Sequence, residues 1–252
     1  MKFEKQRLLA AAVHLLISGV IAGVVTALIL LLWYPGQYAQ IARGLTLIVL
    51  VVGVDIVLGP LLTLVVFNPA KSRAELMRDI SVIAILQLSA LAYGAHTVFI
   101  ARPVALVFEG SQFRLVSAAE VEQKELEQAS PGLQKLSLTG PTILGTRDFK
   151  DEKEKSDAAF TAFSGTDIGA RPSFWQGYEQ SADKVKRAAK PLSALSLKYP
   201  AQKALLEQAV KDAGVPDTSL RFVPLLARGT EWSVLVDANT AAVKGFVQLD
   251  GF

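Results

Sequence analysis

Three long apolar runs fill about the first hundred residues of this 252-residue chain, and a segment of ordinary polarity fills the rest. Residues 8–33, 44–67 and 80–101 are each long enough to cross a bilayer, whose ~30 Å apolar core takes roughly 20 helical residues. Inside lipid every backbone N–H and C=O must find a partner within the protein, so runs of this kind fold as helices. The sequence therefore predicts a three-helix transmembrane domain over residues 1–102 and an exported α+β domain with an antiparallel sheet over residues 103–252.

Lysine and arginine in the short flanks set the orientation, because cationic loops resist translocation. Lys2, Lys5 and Arg7 precede the first run, and Lys71, Arg73 and Arg78 separate the second from the third, whereas the segment between the first two carries only Arg43. The amino terminus and the second loop are thus expected on the cytoplasmic side of a bacterial inner membrane, with the last 150 residues in the periplasm. Trp33, Tyr34 and Tyr38 fit the outer interface, where amphipathic rings settle at headgroup depth. The first run is too long for the apolar part of a cleaved signal peptide, and two more follow it.

The positive charge of the chain belongs to this topology and is no phosphate-binding footprint. Residues 1–102 hold eight Lys and Arg against four Asp and Glu, while residues 103–252 hold 18 against 19. The charge distribution therefore predicts no nucleic-acid partner. A basic cluster of Lys184, Lys186, Arg187 and Lys190 reads as a solvated helix face or, less simply, as a site for an acidic partner. The chain has no cysteine, hence no disulfide and no thiolate. Both histidines lie in the apolar runs, and no nucleophile, zinc or phosphate-loop motif stands in the exported segment. No catalytic residue, metal or cofactor is implied.

Within the membrane, helices associate by shape and by hydrogen bonds, since lipid is as apolar as they are. Gly19 and Gly23, spaced four apart beside Ser18, predict a close helix contact; Ala90 and Gly94 predict another. That face packs either against the other two spans or against a foreign helix. Pro60 removes one hydrogen bond from the second span and predicts a kink. Asn68-Pro69 ends that span, and Ser72 with Glu75 predicts a capping box, which makes the second and third spans a tight hairpin.

Asp55 is the strongest local clue, because an acid at mid-membrane costs about 2.5–3.5 kcal/mol on insertion scales. Counting residues places it ~15 Å deep, level with Gln87 of the third span. Three readings stand: a hydrogen bond to Gln87, with His14 as a second partner; recognition of a polar group on an incoming transmembrane helix; or a proton or ion relay.

In the exported segment, residues 104–108 and 113–116 predict a strand pair around Glu109-Gly110. Ser117 with Glu120 predicts the cap of a helix running to about Gln128. Helical spacing covers 151–163, 177–190 and 201–213; strands are predicted over 222–226, 232–236 and 243–249, with 237–240 as a turn.

An ordered series of short motifs then carries a family resemblance. Trp33-Tyr34-Pro35-Gly36, Val52-Gly53-Val54-Asp55, Leu58-Gly59-Pro60-Leu61-Leu62-Thr63, Asn68-Pro69, Asp79, Gln87, Tyr93-Gly94 and Ala101-Arg102-Pro103 resemble the type IV pilin accessory proteins of the TfpX/TfpZ family. Arg171-Pro172 and Pro224-Leu225 extend the likeness more loosely into the exported segment. The resemblance implies a non-enzymatic inner-membrane protein for type IV pilus biogenesis that binds or chaperones the major pilin, with the lipid bilayer around it. A pilin awaiting assembly has one apolar helix with a charged amino terminus and a head outside. A partner needs membrane helices and a periplasmic domain, and this chain is predicted to have both. Asp55, Gln87, Gly19, Gly23 and Pro60 are the candidate partner-binding residues. A membrane sensor of pilus or envelope state and a pilin-modifying enzyme are the competing functions.

Overall fold

The computed structural model describes residues 2–252 and separates them into two compact units that divide between Ala101 and Arg102. Met1 and the side chain of Lys2, whose charge was counted above, lie outside what is described.

The first unit holds α1 (Lys2–Leu32), the short α2 (Tyr38–Ile41), α3 (Gly44–Val66) and α4 (Arg73–Ile100). The three long helices are apolar and long enough to cross a membrane. Both α1 and α4 pack along α3. At the carboxyl end of α3, where the last carbonyls lack helical donors, Arg7 donates to the Leu64 and Val65 carbonyls at 3.0 and 2.9 Å. Lys71 donates to the Val66 carbonyl at 3.3 Å and pairs with Asp79 at 2.6 Å. The Ser72–Glu75 capping box forms as predicted and starts α4. α3 runs unbroken through Pro60, so no interruption of the helix marks the predicted kink.

Two sequence expectations are corrected in this unit. Nothing lies within 4 Å of where a Cβ on Gly19 or Gly23 would stand, so this pair makes no close contact within the bundle. The tight approaches fall at Gly44, Gly59 and Gly94, where a Cβ would overlap Tyr34, Gln87 and Val51 respectively. Tyr34 is also not an interfacial ring. It is buried in the bundle and donates to the Val98 carbonyl at 3.1 Å, because closing the turn between α1 and α3 presses it onto Gly44.

The second unit is an α+β domain. Its strands are β1 (Pro103–Glu109), β2 (Gln112–Ser117), β3 (Thr142–Thr146), β4 (Trp175–Gly177), β5 (Lys190–Pro191), β6 (Leu220–Leu226), β7 (Trp232–Asp237) and β8 (Val243–Val247). They form one sheet in the order β4-β3-β1-β2-β6-β7-β8, with β5 paired beside β6. The predicted antiparallel ladders are joined by two parallel ones, β1 with β3 and β2 with β6, which make the sheet mixed. Helices α5 (Glu152–Phe163), α6 (Ala182–Ala188), α7 (Leu192–Lys198) and α8 (Lys203–Ala213) complete the unit.

Two apolar clusters hold this sheet. Val107, Val116, Leu144 and Trp175 build one, and Leu195, Leu206, Phe222 and Leu235 build the other. The helix predicted after Ser117 is corrected. Glu120 accepts from the Ser117 N–H and hydroxyl at 2.7 Å, yet only a turn follows, then a 3-10 helix over Gln123–Gln128. Ala118 and Val121 turn into the first cluster there, and burial outweighs the local helical preference.

Candidate functional site

The polar side chains of the first unit converge at mid-bundle. Asp55, Gly59 and Thr63 are buried on one face of α3, each one helical turn from the next, as the four-residue spacing requires. Gln87 reaches this face from α4, and His14 and Ser18 reach it from α1.

The bonds fix one another. Gln87 Nε2 donates to the main-chain carbonyl of Asp55 at 3.0 Å and to Ser18 Oγ at 3.4 Å. A carbonyl can only accept, so the amide nitrogen faces α3 and Gln87 Oε1 faces His14 Nε2 at 2.6 Å. That oxygen in turn requires a proton on His14 Nε2. In the neutral ring, His14 Nδ1 then accepts from the Thr63 hydroxyl, 2.5 Å away. Gly59 makes room for the arrangement, because any side chain there would collide with the Gln87 amide.

Asp55 and Gln87 thus meet, but not in the way the sequence suggests. The amide binds the backbone of Asp55, both its polar ends are committed, and no hydrogen bond or ion pair reaches the Asp55 carboxylate from any described residue. The residue is 8% exposed and lines a cavity of about 150 Å³ together with His14, Ser18, Ala22 and Gln87. Thr63 and Ser18 are the members of this cluster that sequence reading missed as partners of the Asp55 site. The signal for Thr63 was available, since it stands eight residues beyond Asp55 on the same helical face. Pro60 lies beside the cluster on α3, while Gly19 and Gly23 lie away from every close contact.

α1 and α4 each pack along α3 and meet one another chiefly at Gln87, and towards the end of the bundle that holds the amino terminus a furrow opens between them. It encloses about 590 Å³ and is lined from Gln6 and Phe67, at the end of the bundle that holds the amino terminus, to Ile17 and Ala84. The walls are apolar: Leu9, Val13, Ile17 and Ile80. His14, Ile17 and Ala84 line both spaces, so the furrow leads to the Asp55 cavity.

The second unit offers no comparable constellation. Phe174 is flanked by the guanidiniums of Arg147 and Arg171 at 4.5 and 4.8 Å from its centroid. Arg147 pairs in bidentate fashion with Glu154 at 2.8 Å on both oxygens, and this contact with a backbone bond from Lys150 holds Glu154 down at about 2. Burial pushes Glu125 upward, but its bonds from Arg171 and Ser173 together leave it below the usual carboxylate range. Burial alone raises the Tyr178 hydroxyl, which donates to the Ala241 carbonyl at 2.6 Å. These pairs tie elements together. In the basic cluster, Lys184 pairs with Asp148, Lys186 with Asp183, and Lys190 donates to the Gly251 carbonyl, so most of its charge is engaged within the domain. Among the described residues no group of three or more His, Asp or Glu could hold a metal ion.

The family model described as fimbrial assembly protein FimB matches residues 2–43. The fimbrial assembly proteins of serogroups I and E1 of Dichelobacter nodosus are each 36% identical over 255 residues, covering 99% of this chain and 99% of theirs. The fimbrial assembly protein of serogroups C1 and C2 of the same organism is 41% identical over 130 residues, which is 50% of this chain and 99% of that protein. No solved structure matches significantly.

Proposed function

Because this chain belongs to the fimbrial assembly proteins, we propose that it serves type IV pilus biogenesis from the bacterial inner membrane as a non-enzymatic binding protein for the major pilin. Its amino terminus lies in the cytoplasm and its second unit in the periplasm, in keeping with the Lys and Arg of the flanks. The observation that carries the reading is the furrow between α1 and α4. Its walls are mostly apolar side chains of α1 and α4, and Thr63 at its floor lies on α3, the helix that both walls already share. A pilin helix waiting in the membrane would lie in it without exposing polar backbone. Such a protein would hold the pilin and release it to the growing fibre.

Photocrosslinking in cells tests this. A photoreactive residue at Val13, inside the furrow, is expected to capture the cognate pilin. The same residue at Val49, an exposed α3 position outside the furrow, is expected not to. Deleting the gene should reduce surface pili and leave the mass of the pilin unchanged; a changed mass would favour the modifying enzyme instead.

A further inference from the structure

We infer that Asp55 is a charge-recognition site, and that it takes a positively charged nitrogen carried by the transmembrane helix that enters the α1–α4 furrow. The inference rests on the furrow reading above and names the chemistry at its inner end. Asp55 is more than nine-tenths buried midway along α3, about 16 Å from either end. Its surroundings hold donors, yet the Gln87 amide and the His14 ring are spent elsewhere, and the Ser18 hydroxyl makes no bond to the carboxylate. Both Gln87 amide protons go to the Asp55 carbonyl and Ser18, and the His14 Nε2 proton goes to Gln87. The carboxylate is left facing a cavity of about 150 Å³, space for an ammonium group with room to spare.

The approach decides the class of ligand. The cavity joins the furrow at His14, Ile17 and Ala84, and the furrow opens sideways between two apolar helices. A group arriving by that route is carried on a membrane helix. A charge opposite to the carboxylate is attracted far more strongly there than in water, and Asp55 is the one acidic side chain among the described residues lining either space, since Gln6 at the furrow's outer end is neutral and the walls between are mostly apolar. A neutral amide or hydroxyl would bind a protonated Asp55 equally well, and would bind asparagine in its place; a cation would not.

The full-length protein with the photoreactive residue at Val13, expressed with its cognate pilin, provides the test. If wild-type protein gives no pilin adduct, the furrow reading itself fails. If it does, Asp55→Asn should lower the adduct by about tenfold or more at equal protein level, whereas Asp55→Glu should retain most of it. An adduct undiminished in Asp55→Asn overturns the inference and leaves the furrow reading standing. Should Asp55→Asn fail to accumulate, wild-type protein in lipid nanodiscs is examined by infrared difference spectroscopy with and without pilin. With pilin bound, an ionised-carboxylate band whose frequency moves in Asp55→Glu supports the cation; a protonated-carboxyl band so assigned in the bound state overturns it.

Discussion

The two units bury opposite kinds of surface. In the second, Val107, Phe113, Leu225 and Val234 are wholly enclosed. Each buried polar group there is bonded: Ser233 donates to the Leu249 carbonyl at 2.8 Å, Thr146 to the Phe108 carbonyl at 3.2 Å, and Glu109 accepts from Arg114 and from the Gly169 N–H. In the first, Leu16, Leu31 and Val65 point outward, and Asp55 and Thr63 point inward. A sheet domain in water is held by apolar burial, and a helix bundle in lipid is held by fit and by hydrogen bonds. Against that rule Asp55 stands out: it is a buried acid in the unit that can least accommodate one, and its carboxylate lacks the partner that every buried polar group of the other unit has.

If the contrast is right, the largest single loss of stability should come from the apolar core of the second unit. Phe222, on β6, shares one cluster with Leu195 of α7 and Leu206 of α8, and Phe222→Ala is expected to destabilise the domain by about 3–5 kcal/mol. Thermal unfolding of the full-length protein in detergent, followed by near-ultraviolet circular dichroism, reads it. A change below about 1 kcal/mol would mean that this cluster is not what holds the domain.

The complementary change in the first unit adds volume where helices touch. Gly59→Leu sets a side chain into the Gln87 amide and should cost about 1–3 kcal/mol, seen as lower accumulation and a lower melting temperature. Full tolerance there would remove fit as the principle of the bundle.

What could be read from the sequence follows the same division. The helices of the first unit were legible because length and apolarity suffice, and the Ser72–Glu75 box because it is purely local. The hairpin of β1 and β2 and the strands near the end were legible as short runs rich in β-branched and aromatic residues, bounded by turn residues such as Glu109-Gly110 and 237–240. β4 and β5 span three and two residues, too short to carry any period. β3 hid because Gly145 interrupts its apolar run, and that glycine is needed since Ser181 occupies the space of its missing side chain. The segment expected as one helix over 177–190 is a 3-10 turn followed by α6. At the candidate site the residues were legible and their pairing was not. Spacing placed Asp55 and Gln87 at one level, but which atom of Asp55 the amide meets is decided by His14 on α1, held by Thr63 two turns along the Asp55 face of α3.

A third prediction draws the units apart by pH. Glu154 is held at about 2 by Arg147, against an ordinary value of 4.5. A carboxylate lowered on folding lends stability that is fully present above its unfolded value and is lost as the pH falls from there through the folded one. Between about pH 4.5 and pH 2 the melting temperature should therefore fall, and Glu154→Gln should make that fall shallower while leaving a residue due to Glu125 and Asp237, both also lowered. Equal slopes in the two proteins would remove the Arg147–Glu154 pair from the acid response. The effect is smaller than either core change because the pair is partly open to solvent, which screens it.

The smallest effect on stability is expected at Gly23, and it bears most directly on what the bundle is for. A leucine there meets no neighbouring atom within 4 Å of its Cβ, so Gly23→Leu should melt like the wild type, unlike Gly59→Leu. Leucine is also the better helix former, which favours the variant slightly. Small residues on a lipid-facing helix let another backbone come close, and a bulky one keeps it away. Surface piliation therefore decides between two uses of this face. A stable Gly23→Leu protein with fewer pili would mean that a second helix, from another protein or another copy, lies against α1 on the side away from its own bundle. A stable variant with normal piliation would make the Gly19–Gly23 spacing incidental and leave the α1–α4 furrow as the place where the bundle meets its partner.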